Sequence, residues 1–309
     1  MLHITDRTLS SLDDVLCKPQ PSPQGEGSPL DVSTLARFLE LLIQTEPDAI
    51  ELSQKMYDLL SPLPKYPGYI VRGGDKEACE ILLNDIQDLN AAADFKDCEK
   101  IRVQGLDGII TGNYIEAFTR LREFFSGEIE FCPTDNYHFA TALAVEWLTS
   151  GAVNSVATSF GGTGGFAPTE EVVMILKLAG LRKADKTYSF FPEMTSLLNK
   201  ITAKPVRRNK PILGRRIFHV ESGIHVDGIL KDPKCYEPFP PENVGLKRKI
   251  VIGRQSGTAS IKVKLAELGI TCDEEKIPAV LEGVRIMSEK KRGALNNNEF
   301  AQIVKERSA

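Results

Sequence analysis

The stretch EIEFCPTDNYHFATALAVEWLTSGAVNSVAT, residues 128–158, decides the fold class. Its pattern predicts a strand over Glu128–Cys132, a helix over His138–Thr149 and a second strand over Val153–Thr158. In the helical part, Leu143 and Trp147 recur at the i, i+4 spacing that places apolar side chains on one face. A strand, a helix and a strand in this order are typical of a parallel sheet covered by helices.

The same alternation continues outward from this stretch. Further predicted strands are Leu2–Thr5, Asp48–Leu52, Tyr69–Val71 and Lys100–Gln104. Further predicted helices are Val32–Gln44, Lys76–Leu89, Asn113–Phe125 and Thr169–Leu178. A (β/α) barrel and a doubly wound sheet both fit repeated β–α alternation.

The pattern changes after residue 190, and we predict a domain boundary near Lys204. The first domain is 1–203 and the second is 204–309, with helices near Thr258–Leu268 and Glu274–Lys291. A segment rich in Pro, Gly and Ser, Lys18–Pro29, breaks the alternation and is predicted to be a surface loop. A flap over the end of the first strand is the functional alternative for this loop.

Composition excludes several function classes. The chain has 309 residues, a formal net charge of −4 and 42% hydrophobic residues. A mildly acidic chain lacks the positive field that nucleic acids and anionic membranes select, so neither is expected as a partner. No apolar stretch approaches the ~20 residues of a membrane span, and the N-terminus does not resemble a signal peptide. The six cysteines form no C-x-x-C pair, which predicts reduced thiols in a cytoplasmic protein.

The chemistry-bearing residues match no common catalytic motif. The histidines form neither H-x-H nor H-E-x-x-H, and the Gly-rich stretch Ser159–Phe166 fits a tight turn better than a phosphate-binding loop. One alternative is a new metal site built from Cys132, Asp135, His138 and Asp13, since such side chains can hold zinc or iron. Against it, a free cysteine usually fills core space.

The last third of the chain resembles a known family. FHVESGIHVDG (218–228), KDPKCYEPF (231–239) and VIGRQSG (251–257) are similar to the H-E-S-G-I-H-x-D-G, T-Y-E-P-F and I-G-K-H-S-G motifs of the 2-isopropylmalate synthase/homocitrate synthase family. The resemblance implies a TIM barrel followed by a smaller C-terminal lid domain with helices.

It also implies an activity. Members of this family condense acetyl-CoA with a 2-oxo acid, and the homocitrate synthases, which use 2-oxoglutarate, are the most similar members, including those that serve nitrogenase cofactor assembly. A divalent metal at the barrel mouth polarises the keto acid.

This sequence departs from the family at every expected metal ligand. Ser11 stands for the Asp of L-R-D-G, Cys132 and Thr134 stand for the two His, and Phe166 stands for the Asn. Ser10 replaces the neighbouring Arg. We therefore expect no metal site and no cofactor in this chain, and a degenerate or shortened barrel, because the span before Cys132 is too short for eight strands.

The lid motif is better preserved, although Val220 and Gln255 replace two of its histidines. The resemblance implies His225, Tyr236 and Glu221 as catalytic residues. It implies Ser222 and Asp227 as substrate-binding residues. The alternative role for His225 is that of a polar core residue bonded to Glu221.

Three hypotheses on function remain open at the level of sequence. The first is a lid-bearing subunit, of the omega type found where homocitrate synthase is divided between two polypeptides; it needs a catalytic homologue as partner. The second is a self-sufficient acyltransferase or lyase with a rebuilt metal site. The third is a regulatory or structural protein that binds its partner or a second copy of itself without catalysis.

Overall fold

The structure is a computed structural model, and it describes residues 2–13, 31–74, 78–84, 86–106, 114–183 and 185–308. The predicted loop Lys18–Pro29 lies outside these residues. The chain divides into two compact units, Met1–Leu213 and Gly214–Ala309. The predicted boundary near Lys204 stands earlier in the chain, so residues 204–213 belong to the first unit in this division.

The first unit is built on one parallel sheet. Its strands are β1 His3–Asp6, β2 Ala49–Leu52, β3 Tyr69–Val71, β4 Cys79–Leu83, β5 Lys100–Gly105, β6 Glu128–Pro133 and β7 Ser155–Thr158. Their spatial order is β3-β2-β1-β7-β6-β5-β4. Because β7 pairs with β1, neighbours follow the cyclic order of a (β/α) barrel that is open between β3 and β4. The prediction of a shortened TIM-type barrel is confirmed.

A short connection accounts for the open seam. Parallel neighbours in a sheet need a crossover of a dozen or more residues, usually with a helix. The chain from Val71 to Cys79 is too short for such a crossover. The sheet therefore lacks the β–α unit that would join β3 to β4 in a closed barrel.

Helices cover the sheet. Those of the first unit are α1 Thr8–Ser11, α2 Val32–Gln44, α3 Gln54–Leu60, α4 Tyr114–Phe124, α5 Ala140–Thr149, α6 Thr169–Leu178 and α7 Phe191–Thr202. Helix α5 packs on β6 through Trp147 and Phe131, whose rings stack with centroids 4.1 Å apart. This contact fixes the helix predicted from residues 128–158 against its own strand.

One predicted element of the first unit is wrong. The helix expected over Lys76–Leu89 is strand β4 followed by a 3₁₀ segment, Ile86–Phe95. In β4, Ile81 and Leu83 are buried whereas Leu82 is 66% exposed. This two-residue alternation and pairing with β5 override the helical pattern, since side chains alternate across a strand.

The expectation that all cysteines are reduced is also wrong for one pair. Cys79 at the start of β4 forms a disulfide with Cys98, just before β5, with Cα atoms 6.6 Å apart. Pairing of the two strands brings these cysteines together, a proximity that their separation in sequence does not reveal. Among the described cysteines, Cys132 and Cys235 are outside any disulfide, the first buried and the second exposed.

A layer of charged side chains lies on the inner face of the sheet. Glu80, Arg102, Glu130 and Ser155 are direct register partners on β4, β5, β6 and β7. The Arg102 guanidinium lies 2.5 Å from Glu130 Oε2 and 2.5 Å from Oε2 of Glu51 on β2. This layer replaces the apolar packing that usually fills a barrel.

The pairing sets the protonation of these groups. Burial alone would raise the pKa of Glu130, but Arg102 and Lys100 outweigh it and lower that pKa to about 2. Burial opposes the charge of Arg102 too, yet Glu130 and Glu51 hold its pKa well above the usual value. Glu130 and Arg102 are therefore both charged at neutral pH.

The second unit contains a two-stranded parallel sheet and four helices in its described residues. The elements are β8 His219–Val220, α8 Gly223–Lys231, β9 Lys249–Ile250, α9 Thr258–Leu268, α10 Ile277–Lys291 and α11 Asn297–Ser308. Its core includes Val226, Ile261, Val280 and Phe300. Helix α8 was not predicted from the sequence pattern. Among the described residues, none of the helices is both long and apolar enough for a membrane span.

Replacing Arg102 by Met tests the charged layer. We expect the free energy of unfolding of the first unit to fall by about 3–5 kcal/mol, because buried carboxylates lose their counter-charge. The single tryptophan, Trp147, is buried in this unit, so its fluorescence during urea unfolding reports the change.

Arg37→Met is the matched control. Arg37 pairs with Glu40 and Glu193 at the surface, where ion pairs contribute little, and it should leave the urea midpoint unchanged. Equal effects of the two substitutions would contradict a structural role for the buried layer.

Candidate functional site

The carboxyl ends of β1, β6 and β7 form the mouth of the incomplete barrel, the end at which parallel barrels place their active sites. Arg7 follows β1 directly, and its backbone N–H donates to the carbonyl of Thr158 at the end of β7 (2.8 Å). Cys132 lies near the end of β6, and Phe166 follows the Gly-rich segment after β7. The fold thus brings these three side chains to one place.

The Arg7 guanidinium lies at the centre of this mouth and is 4% exposed. Its Nη1 donates to Cys132 Sγ at 3.1 Å, and its Cζ lies 4.4 Å from the centre of the Phe166 ring. Glu51 and Glu80 carboxylates approach it at 3.8 and 3.7 Å. A cation over an aromatic face and beside two carboxylates is electrostatically favoured.

The Gly-rich segment positions Phe166. Gly164 has φ +74°, and a Cβ there would meet the Phe166 ring at 2.8 Å and Ser11 Cβ at 3.2 Å. Thr134 forms an isolated bridge with Phe166. All four positions at which the family resemblance places metal ligands therefore surround the mouth.

The side chains at these positions do not fit a divalent metal. Phe166 has no donor atom, and the hydroxyl of Ser11 is buried without a hydrogen-bond partner. Burial raises the pKa of the Cys132 thiol, which disfavours the thiolate that binds metals. In the described part of the chain, no group of three His, Cys, Asp or Glu side chains could hold a metal ion.

The alternative metal set does not assemble either. Asp135 Oδ2 and His138 Nδ1 are 3.5 Å apart, but the His138 side chain is 82% exposed. Cys132 is buried and faces Arg7. The geometry thus gives no support to a rebuilt site that includes Asp13.

Two buried acids near the mouth are held by hydrogen bonds. Burial raises the pKa of Asp6 to about 6, although the amide of Thr8 donates to its Oδ1 at 2.9 Å. Burial raises the pKa of Glu170 to about 7, with the amide of Gly161 donating to Oε2 at 2.8 Å. Both acids fasten the loops after β1 and β7.

In the second unit, two of the segments that resemble family motifs, 218–228 and 251–257, pack against each other. Glu221 Oε1 accepts from the backbone N–H of Gln255 at 2.9 Å, and a Cβ at Gly253 would meet the same oxygen at 2.4 Å. A Cβ at Gly223 would lie 2.5 Å from Gly257 Cα. Glu221 and these glycines therefore serve to close the backbone of one segment onto the other.

His225 on α8 and Tyr236, which follows the helix, form an exposed pair. Their ring centroids are 4.6 Å apart with planes tilted by 45°. A Cβ at Gly228 would meet the Tyr236 ring at 2.3 Å, so only glycine at this position lets the phenol lie against the helix. His225 is exposed, which excludes its alternative role as a core residue.

The predicted substrate-binding residues lie elsewhere on the helix. Ser222 is the N-cap residue of α8 without a capping hydrogen bond from its side chain. Asp227 pairs with Lys231 at 2.6 Å in a surface i, i+4 ion pair. Neither contacts the His225–Tyr236 pair through a hydrogen bond in the described residues, so their roles stay predictions.

Two apolar side chains of α8 are exposed as well as this pair. Ile224 is 78% exposed, and Leu230 and Tyr236 are also exposed. We call Ile224, His225, Leu230 and Tyr236 the α8 face. Clusters of exposed apolar side chains on a folded unit mark interaction surfaces.

Sequence reasoning missed the residues that fill the mouth. Arg7 lies just after the predicted strand Leu2–Thr5, and Arg102, Glu51 and Glu130 lie within predicted strands; none of the four was predicted as a site residue. A usable signal existed for Glu51, which is the one charged residue in the otherwise apolar strand AIEL (49–52). A lone charge at such a position is usually paired inside the fold.

Comparisons with known proteins agree with the motif reading. A family model described as homocitrate synthase post-HMGL domain-like matches residues 212–292. The omega subunit of homocitrate synthase from Clostridium pasteurianum is 32% identical over 235 residues, which are 74% of this chain and 65% of that protein. Homocitrate synthase AksA of Methanothermobacter thermautotrophicus is 30% identical over 74% of this chain and 59% of its own length.

Homocitrate synthase 1 of a Nostoc species is 36% identical over 58% of this chain and 48% of its own length. The chain thus spans about two thirds or less of these relatives. Among solved structures, the N-terminal domain of a putative aldolase from Bacteroides vulgatus gives a TM-score of 0.32 at 12% identity, covering 65% of this chain and 86% of that one.

The shortened parallel barrel and the motif-bearing second unit fit one set of relatives. The family model matches most of the second unit, up to residue 292, and the curated relatives extend the likeness into the first unit. Both units are therefore similar to members of the homocitrate synthase/2-isopropylmalate synthase family.

Proposed function

We propose that this chain is the lid-bearing subunit of a divided homocitrate synthase, and that it completes the active site of a catalytic homologue. The observation that carries the proposal is a contrast between its two units. The barrel mouth is filled by Arg7 and its partners, whereas His225 and Tyr236 of the second unit are exposed. Chemistry-bearing groups that face outward are suited to act on a site in another chain.

The proposed partner has a complete barrel mouth and an acetyl-CoA and 2-oxo acid site. By family resemblance, the metal held by that partner polarises the carbonyl of 2-oxoglutarate. Similarity to an omega subunit supports this division of labour. The product, homocitrate, would suit nitrogenase cofactor assembly, the use implied by the family resemblance.

In this proposal His225 moves a proton. Histidine is the side chain that takes up and releases protons most readily near neutral pH, and Claisen condensation removes a proton from the acetyl methyl group and delivers one to the new alkoxide. The Tyr236 hydroxyl, beside the imidazole, offers a second proton carrier. Glu221 acts indirectly, because its bond to the Gln255 amide fixes the loop next to α8.

A self-sufficient enzyme with a rebuilt metal site receives no support from the described geometry, because the required donors do not converge. A regulatory or structural subunit would use the same α8 face without proton transfer. Substitution of His225 separates this alternative from the lid-bearing enzyme subunit.

The His225→Ala variant should assemble with the catalytic homologue but turn over ~10²–10⁴-fold more slowly, the usual loss for a general acid–base group. The assay is acetyl-CoA-dependent thiol release by the co-expressed complex with 2-oxoglutarate. Lys262→Ala, an exposed residue that pairs with Glu274, is the control and should be neutral. A His225→Ala complex with wild-type rate would make the chain a regulator or scaffold.

Ile224→Asp should weaken assembly itself. A charge at a side chain that is 78% exposed leaves the fold intact but must be desolvated when the α8 face docks, so we expect affinity to fall at least ~10-fold. Analytical ultracentrifugation with the homologue measures the change. Ile286→Asp, at another exposed isoleucine of the second unit, is the matched control; equal losses for both would show that α8 is not the docking face.

A further inference from the structure

We propose that Arg7 is the resident cation of the first unit's mouth and stands where a catalytic metal would otherwise lie. It contacts two of the four positions expected to carry metal ligands: Cys132 through Sγ and Phe166 through the ring face. Ser11, at a third, lies against the same Gly164–Phe166 corner. This inference concerns the first unit alone and does not depend on a partner subunit.

The charge balance supports a fixed monovalent cation. The layer below the mouth contains three carboxylates, those of Glu51, Glu80 and Glu130. Four cations contact them: the buried Arg7 and Arg102, the largely buried Lys100, and the partly exposed Arg72, which pairs with Glu80. A dication added to this set would be an uncompensated charge in a buried place, which is strongly unfavourable.

The shape of the ring of partners also suits a guanidinium. A guanidinium is planar and presents several N–H donors at its edge. Here the thiol of Cys132 and the carboxylates of Glu51 and Glu80 lie around its edge, and the Phe166 ring covers its face. A single small ion would need these donors much closer together.

Ser10 stands where the family motif has an arginine, and it also contacts one of the carboxylates around Arg7. Ser10 Oγ now donates to Glu51 Oε1 at 2.6 Å, and Arg7, three residues earlier, brings its guanidinium to the same carboxylate. Compared with the family motif, the positive charge in this chain lies directly after β1, on Arg7, and not in the helix that follows. The positive charge of the mouth is then supplied by the Arg7 guanidinium.

Chemical rescue tests the proposal. Arg7→Ala should lower the unfolding temperature of the first unit, followed by Trp147 fluorescence, by on the order of 10 °C. Guanidinium chloride at tens of millimolar should restore part of this loss, because a ligand that binds only the folded state stabilises it. Sodium chloride at equal ionic strength should not. Restoration by a salt that normally destabilises proteins is a specific signature.

Arg182→Ala is the matched control, since Arg182 is a half-buried arginine paired with Asp48 at 2.9 Å, before the start of β2 and away from the mouth. It should show no guanidinium response. Arg7→Lys retains the charge without the planar group, so it should fold, be less stable than the native chain and ignore guanidinium. If Arg7→Ala fails to fold, a native-like Arg7→Lys overturns the proposal and a destabilised one supports it.

Elemental analysis gives an independent readout. The native chain, dialysed against Mn²⁺ or Zn²⁺ and then buffer, should retain no stoichiometric metal. Metal retained by the native chain and lost in Cys132→Ser would overturn the proposal, as would an Arg7→Ala variant that is as stable as the native protein or gains nothing from guanidinium.

Discussion

Contact between buried guanidinium groups and carboxylates is the constraint on which the first unit depends. Arg102 joins Glu51 on β2 to Glu130 on β6, so it connects the two sides of an open sheet across its interior. Breaking a buried charge pair destabilises a protein far more than breaking a surface pair, because water cannot solvate the unpaired charge that remains. An incomplete barrel that cannot rely on a closed ring of backbone hydrogen bonds is fastened instead by these ionic contacts.

The position of the charges determines what the mouth can do. Arg7 adds a second buried positive charge beside the carboxylates that Arg102 contacts, and its guanidinium lies at the ends of β1 and β6. Cys132 and Phe166 become suitable neighbours once the cation is a guanidinium, because a thiol accepts its N–H and a phenyl ring attracts its face. The same two side chains would be unsuitable around a hard dication. Cys132 and Phe166 differ from the metal ligands of the family, but both suit contact with the Arg7 guanidinium.

Regular elements with strong periodicity could be predicted from the sequence. Val32–Gln44, Thr169–Leu178 and Thr258–Leu268 were predicted with the bounds that the structure gives. Cys79–Leu83 was not, because its alternation is short and its strand identity comes from pairing with β5. The disulfide between Cys79 and Cys98 was missed for the same reason. Helix α8 was missed because its glycines at 223 and 228 lower helix propensity, while packing against Gly257 and Tyr236 requires them.

The candidate site could be predicted only in part, since motifs name residues without showing which way they face. The resemblance implies His225 and Tyr236 as catalytic residues, a role that stays a prediction, and the fold brings their rings together. Glu221 holds a loop, and Asp227 forms a surface ion pair. Exposure, which only the fold reveals, changes the meaning of the motif. Exposed groups such as His225 and Tyr236 do not exclude water by themselves, and a water-excluded environment is what makes proton transfer effective. In the proposed function, the second unit therefore supplies the groups and the catalytic homologue supplies the enclosure, because the mouth of the first unit is already occupied by Arg7.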